Sequence, residues 1–110
     1  MDITVGFIGL GLIGGSIAKS LKKADSSIYT IAYNRSPEPL RQAVEEGVID
    51  ESAFSIDDSF RKCDIIFLCT PVEYNSIYLS EISKHIKDDC ILTDVGSVKG
   101  YIHNTVKELR

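Results

Sequence analysis

Residues 5–21 read Val-Gly-Phe-Ile-Gly-Leu-Gly-Leu-Ile-Gly-Gly-Ser-Ile-Ala-Lys-Ser-Leu, and the reading of this stretch decides the fold. An apolar run ends in Gly9-Leu10-Gly11-Leu12-Ile13-Gly14, and an amphipathic pattern begins at once. That order predicts a strand, a tight glycine turn and a helix whose N-terminus faces an anion. Gly9 permits the sharp turn, Gly11 the close approach of backbone to a pyrophosphate, and Gly14 the tight packing of helix on strand. Unpaired N–H groups and the helix dipole at that end favour a phosphate. Glycines also mark ordinary turns, so the motif carries weight only inside a strand–helix–strand unit.

The flanking sequence predicts such a unit. Residues 3–8 form a near-continuous apolar run, as in a parallel strand covered on both faces. Ile13, Ile17 and Leu21 recur at helical spacing, with Lys19, Lys22 and Lys23 on the outer face and in the last turn. Residues 28–33, rich in β-branched and aromatic side chains, predict a second strand. Ser36 suits a helix N-cap, and Pro37 and Pro39 fall in a first turn that has no use for their missing N–H groups. Leu40, Ala43 and Val44 supply that helix's buried stripe, Gly47 ends it, and Val48-Ile49 reads as a very short third strand. Residues 52–61 are polar with a weak helical pattern. A fourth strand covers 64–69, a helix marked by Tyr78, Ile82 and Ile86 follows, and a fifth strand covers 90–94. Val95-Gly96-Ser97 then turns the chain into a last helix marked by Ile102, Val106 and Leu109. Strands alternating with helices under right-handed crossovers predict an α/β fold. It is a Rossmann-type doubly wound parallel sheet of five strands in the order 3-2-1-4-5, cut before a sixth.

The bulk numbers fit one domain of this kind. The 110 residues are 44% hydrophobic and 25% charged, and a chain this long holds a core without metal or disulfide staples. A net charge of −4 argues against nucleic acid or an anionic membrane as partner. Cys63, Cys69 and Cys90 have no C-x-x-C spacing and read as reduced, small hydrophobes. His85 and His103 stand far apart, so no metal site is expected. The first residues form neither a leader peptide nor a membrane span, and a cytoplasmic location is expected.

The residue that selects the dinucleotide should end the second strand, about twenty residues after the glycines. Asn34 stands there, where an acid would bind the ribose hydroxyls of NAD and repel the extra phosphate of NADP. Arg35 and Ser36 add a cation and a hydroxyl donor, so NADP is the expected cofactor, with NAD possible. Arg35 stacked on adenine as a solvated charge would serve either. Cys69, Thr70 and Pro71 end the fourth strand, where the nicotinamide half runs; Pro71 also suits a helix start. Asp94 and Gly96 end the fifth strand beside Ser97, which can cap the last helix or donate to a substrate. Lys99, in the first turn of that helix, opposes the dipole and hints at an anionic partner.

Gly-Leu-Gly-Leu-Ile-Gly-Gly-Ser at 9–16, Gly-Val-Ile-Asp at 47–50, Thr-Pro-Val at 70–72 and above all Thr-Asp-Val-Gly-Ser-Val-Lys at 93–99 resemble the N-terminal domain of the prephenate dehydrogenases. That group includes the arogenate and cyclohexadienyl dehydrogenases of tyrosine biosynthesis, and the resemblance runs over all 110 residues. It implies oxidation of the ring hydroxyl of prephenate by hydride transfer to NAD(P)+, then loss of carbon dioxide and aromatisation to 4-hydroxyphenylpyruvate. It also implies that Ser97 hydrogen-bonds near the reacting hydroxyl and that Leu12-Ile13 and Thr70-Pro71 touch the cofactor. The family's catalytic histidine follows on the next strand, and neither His85 nor His103 matches it. The helical domain that closes the substrate site and forms the homodimer is expected beyond residue 110, so the 110 residues alone should bind cofactor without turnover. A sheet ending at Ile91-Leu92 would leave an edge for weak self-association. A pyrroline-carboxylate or β-hydroxyacid reductase domain, or a nucleotide-sensing module without chemistry, are the alternatives on the same half-fold.

Overall fold

A computed structural model describes residues 3–70 and 72–94. Five strands form one parallel sheet: β1 (Thr4–Ile8), β2 (Tyr29–Tyr33), β3 (Glu51–Ala53), β4 (Ile65–Leu68) and β5 (Ile91–Asp94). Their order is β3-β2-β1-β4-β5, as the alternation of elements predicts. The helices are α1 (Gly11–Ala24), α2 (Pro37–Glu45) and α3 (Val72–Ile82), with a 3₁₀ turn at Asp58–Phe60. The last predicted helix lies outside the described residues.

The two-residue period of the strands sorts the core into two layers. Val5, Phe7 and Ala32 join Ala18, Leu40 and Ala43 on the face covered by α1 and α2. Ile8, Ile31, Ile66 and Leu68 join Phe60, Leu79 and Ile82 on the face covered by the 3₁₀ turn and α3. Phe7 and Phe67, opposite each other in the β1–β4 register, stack at 5.5 Å. At Gly6 a β-carbon would stand 2.8 Å from Cys63 Sγ, so only glycine lets Cys63 and Phe60 close over the middle of β1. Cys63 and Cys90 are buried and Cys69 is half-buried; burial raises the Cys63 thiol pKa to about 12.

Five details differ from the sequence reading. The third strand is Glu51–Ala53, not Val48-Ile49. Gly47 has φ +75°, and the N–H groups of Gly47, Val48 and Ile49 turn back to Val44 and Ala43 carbonyls. A Schellman closure of α2 therefore uses the donors a strand would need, while Val48 and Ile49 bury their side chains in the α1–α2 layer. The buried line of α1 runs through Gly14 and Ala18 while Ile13 is 53% exposed, because the small residues let the helix come close and turn the larger one outward. Val44 is likewise at the rim, 39% exposed. Lys22 leaves the outer face to donate to the Ile28 carbonyl and to pair with Asp50. Finally α3 stops at Ile82, so Ile86 packs on the core from the loop that follows.

Two carboxylates brace the N-terminal end of the sheet. Asp50 accepts from the Thr30 N–H at 2.8 Å and from Lys22. Burial pushes its carboxyl up, but Lys22 and the two Thr30 donors outweigh this and leave its pKa below the ordinary value. Asp64 pairs with Lys87 and accepts from the Thr4 N–H, and both hold its pKa low. The opposite end of the sheet is left to the loops after β1, β2 and β4.

Candidate functional site

Gly9 carries the turn out of β1. Its φ is +80°, and a β-carbon there would come within 2.5 Å of Thr70 Cγ2. Its N–H donates to the Tyr33 carbonyl at 2.7 Å, locking the turn to the end of β2. Gly11, the first residue of α1, also has positive φ (+54°), yet a β-carbon would meet nothing within 4 Å among the described residues. The two glycines thus do different work: Gly9 avoids protein, while Gly11 leaves open space at the helix start. Gly14 sits against Cys69, where a β-carbon would lie 3.2 Å from Sγ, and this is the helix-on-strand packing the motif predicts. Leu10 at the N-cap gives α1 no side-chain cap and no acid lies in its first turn, so this N-terminus keeps the positive character that favours phosphate.

Asn34 is built into the loop. Its Oδ1 accepts from the Leu10 N–H at 3.0 Å, and its Nδ2 donates to the Ser36 carbonyl at 3.2 Å. Arg35 lies over the Tyr74 ring of α3, 5.8 Å from its centroid. Ser36 occupies the N-cap of α2 but its hydroxyl makes no capping bond. Between these groups lies a cavity of about 310 Å³, lined by Gly9, Leu10 and Gly11, by Tyr33 to Ser36, and by Cys69 and Thr70, with Tyr74 and Tyr78 along one wall. The sequence-predicted residues after β1, β2 and β4 therefore converge on one groove. Leu12 and Ile13 follow within the first turn of α1.

The tyrosines were not anticipated as lining residues. Tyr74 and Tyr78 are one turn apart on α3, and Tyr78 packs edge-on against Tyr33 at 6.2 Å. Their four-residue spacing, beside Tyr33-Asn34, was the available signal. Asp94 ends β5 opposite Leu68 of β4, at the same end of the sheet. Pro71, Gly96, Ser97, Lys99 and His103 lie outside the described residues. His85 follows α3 and faces Asp58, with Nδ1 and Oδ1 2.9 Å apart, and neither residue lines the groove. Among the described residues no group of three or more His, Cys, Asp or Glu could hold a metal, and no helix is long and apolar enough to cross a membrane.

A dinucleotide fits the open backbone at Gly11, the uncapped helix start and the aromatic groove. Residues 17–110 match the family model for the prephenate dehydrogenase nucleotide-binding domain. The chain is 37% identical to prephenate dehydrogenase of Bacillus subtilis over 90% of its own length and 27% of that protein's. The structure of arogenate dehydrogenase from Synechocystis shares 34% identity with a TM-score of 0.88, over 97% of this chain and 37% of that one. Prephenate dehydrogenase from Aquifex aeolicus, solved with hydroxyphenyl propionate and NAD+, shares 32% identity with a TM-score of 0.89, over 99% of this chain and 38% of that one. The chain thus spans well under half the length of each of these relatives. Likeness of this extent, in sequence and in fold, places the chain in the prephenate dehydrogenase family as a nucleotide-binding domain of that family.

Proposed function

We propose that this chain is the cofactor-binding part of an enzyme that oxidises prephenate, and that it takes NADP+ in preference to NAD+. Support for the activity comes from family membership and from relatives named for it. The observation that carries the cofactor preference is Asn34, an amide where an NAD-selective site would hold an acid, with Arg35 and Ser36 beside it. Gly9 to Gly14 and the start of α1 hold the pyrophosphate, and Asn34 to Ser36 meet the adenosine ribose. Cys69, Thr70, Pro71, Asp94 and Gly96 lead towards the reacting end. When bound, the oxidised nicotinamide supplies the hydride acceptor. Loss of the ring carboxylate as carbon dioxide then leaves 4-hydroxyphenylpyruvate.

In this reading Ser97 positions the substrate hydroxyl, and a histidine beyond the 110 residues takes its proton. The helical domain that completes the substrate site and the homodimer belongs to the same longer protein, working in the cytoplasm. The likeness to the Synechocystis enzyme favours arogenate as the second reading. Calorimetric titration of the chain should show NADP+ binding roughly tenfold or more tighter than NAD+, the effect of one or two charge-assisted hydrogen bonds. Equal affinities would remove the NADP preference. Prephenate turnover by the 110 residues alone should be negligible, and a normal enzymatic rate would overturn the assignment of the base to a later segment.

A further inference from the structure

We propose that Arg41 of α2 is a second specificity-determining residue, binding the 2′-phosphate of NADP together with Arg35. This rests on the NADP preference proposed above and names a group that preference does not require. A second cavity of about 330 Å³ shares Asn34 and Arg35 with the nucleotide groove and extends along α2 past Arg41 to Glu45. It therefore opens at the corner where the ribose hydroxyls are read, on the side facing α2.

The charges on that side are specific. Among the described residues, Lys22, Arg61, Lys62, Lys84 and Lys87 all stand within ion-pair distance of carboxylates. Lys19, Lys23, Arg35 and Arg41 make no ion pair there, and of these the two arginines, both exposed, border the same cavity. Glu45 is four residues beyond Arg41 and yet does not pair with it; a base N-terminal to an acid is the weaker order at this spacing. Helical side chains tilt towards the N-terminus, so Arg41, one turn in from Pro37, is directed back towards residues 34–36. The start of α2 cannot serve a phosphate by itself. Pro37 and Pro39 remove two of its N–H donors and Glu38 adds a negative charge. Arg35, meanwhile, is held towards α3 by Tyr74. An anion at this corner thus has one cation on each side, and Arg41 is the one supplied by α2.

The test is calorimetric titration of the 110-residue chain with 2′,5′-ADP and with 5′-AMP, which differ in the 2′-phosphate alone. Arg41→Ala should weaken 2′,5′-ADP by about tenfold and leave 5′-AMP within about twofold, and Arg41→Lys should recover part of the loss. Unchanged 5′-AMP binding also shows that the variant is folded. If the unsubstituted chain binds both nucleotides equally, the NADP preference fails and Arg41 with it. If the chain prefers 2′,5′-ADP and Arg41→Ala keeps that preference in full while Arg35→Ala loses it, the role of Arg41 is overturned and the NADP preference stands.

Discussion

Gly9 and Gly11 share a left-handed backbone but differ in what surrounds them, and that difference separates stability from binding. Alanine at Gly9 meets both a strained φ and the Thr70 methyl at 2.5 Å. It should cost about 2–4 kcal/mol, read as a lowered denaturation midpoint. Alanine at Gly11 meets strain alone among the described residues, about 1–2 kcal/mol, but its methyl would occupy the space proposed for the pyrophosphate. Its larger effect should be on NADPH titration, and an affinity within about twofold of the unsubstituted chain would argue against ligand approach there. Asn34 carries the complementary case. Asn34→Asp keeps the acceptor for the Leu10 N–H, loses the donor to Ser36, and places a carboxylate at the ribose corner. The NADP/NAD affinity ratio should fall by roughly tenfold or more; an unchanged ratio would mean that Asn34 does not set the preference. The spacing of the glycines and of Asn34 was legible in the sequence. The hydrogen bond joining Asn34 to the glycine loop was not, since it links residues 24 positions apart through a side-chain torsion that no local pattern encodes.

Among the elements, the strands of the sheet's centre were legible because apolar runs covered on both faces have few other uses. The third strand was not. Val48 and Ile49 look like a strand for the reason that makes strands recognisable, β-branched apolar side chains, but their donors close α2. The pairing then starts at Ile31 opposite Glu51, a polar residue with little strand propensity. Asp50, between these two segments, ties the loop to α1 through Lys22 and to β2 through Thr30, a fully buried residue. Asp50→Ala leaves the Thr30 N–H without that acceptor and should cost about 1–3 kcal/mol in chemical denaturation. The pH dependence follows from the lowered pKa of Asp50 and of Asp64. Each folded pKa lies below the ordinary value of 3.8, so the contribution is full above that value and is lost as pH falls through the folded pKa. The chain should therefore lose stability on acidification below about pH 4, and Asp50→Asn should flatten that slope. An acid limb identical in the variant would remove Asp50 from the account.

At the scale of the whole molecule, the ion-paired carboxylates brace one end of the sheet and the glycine loop, Asn34 and Thr70 gather at the other. In the proposed reading, rigidity and ligand access are thus separated along the strands. The sheet itself sets the last expectation. Among the described residues β5 pairs with β4 alone, and Ile91 on it is 59% exposed while Leu92 is buried in the core. A strand of four residues offers few ladder bonds to a second copy, so pairing through this edge should be weak and visible only at high concentration. The net charge of −4 works against association and is screened by salt. Self-association measured by sedimentation velocity should therefore increase with ionic strength, and Ile91→Lys should abolish it by placing a charge on the edge. A monomer at all concentrations and salt levels would count against the edge as a contact. Association that persists in the Ile91→Lys chain would place the contact on another surface.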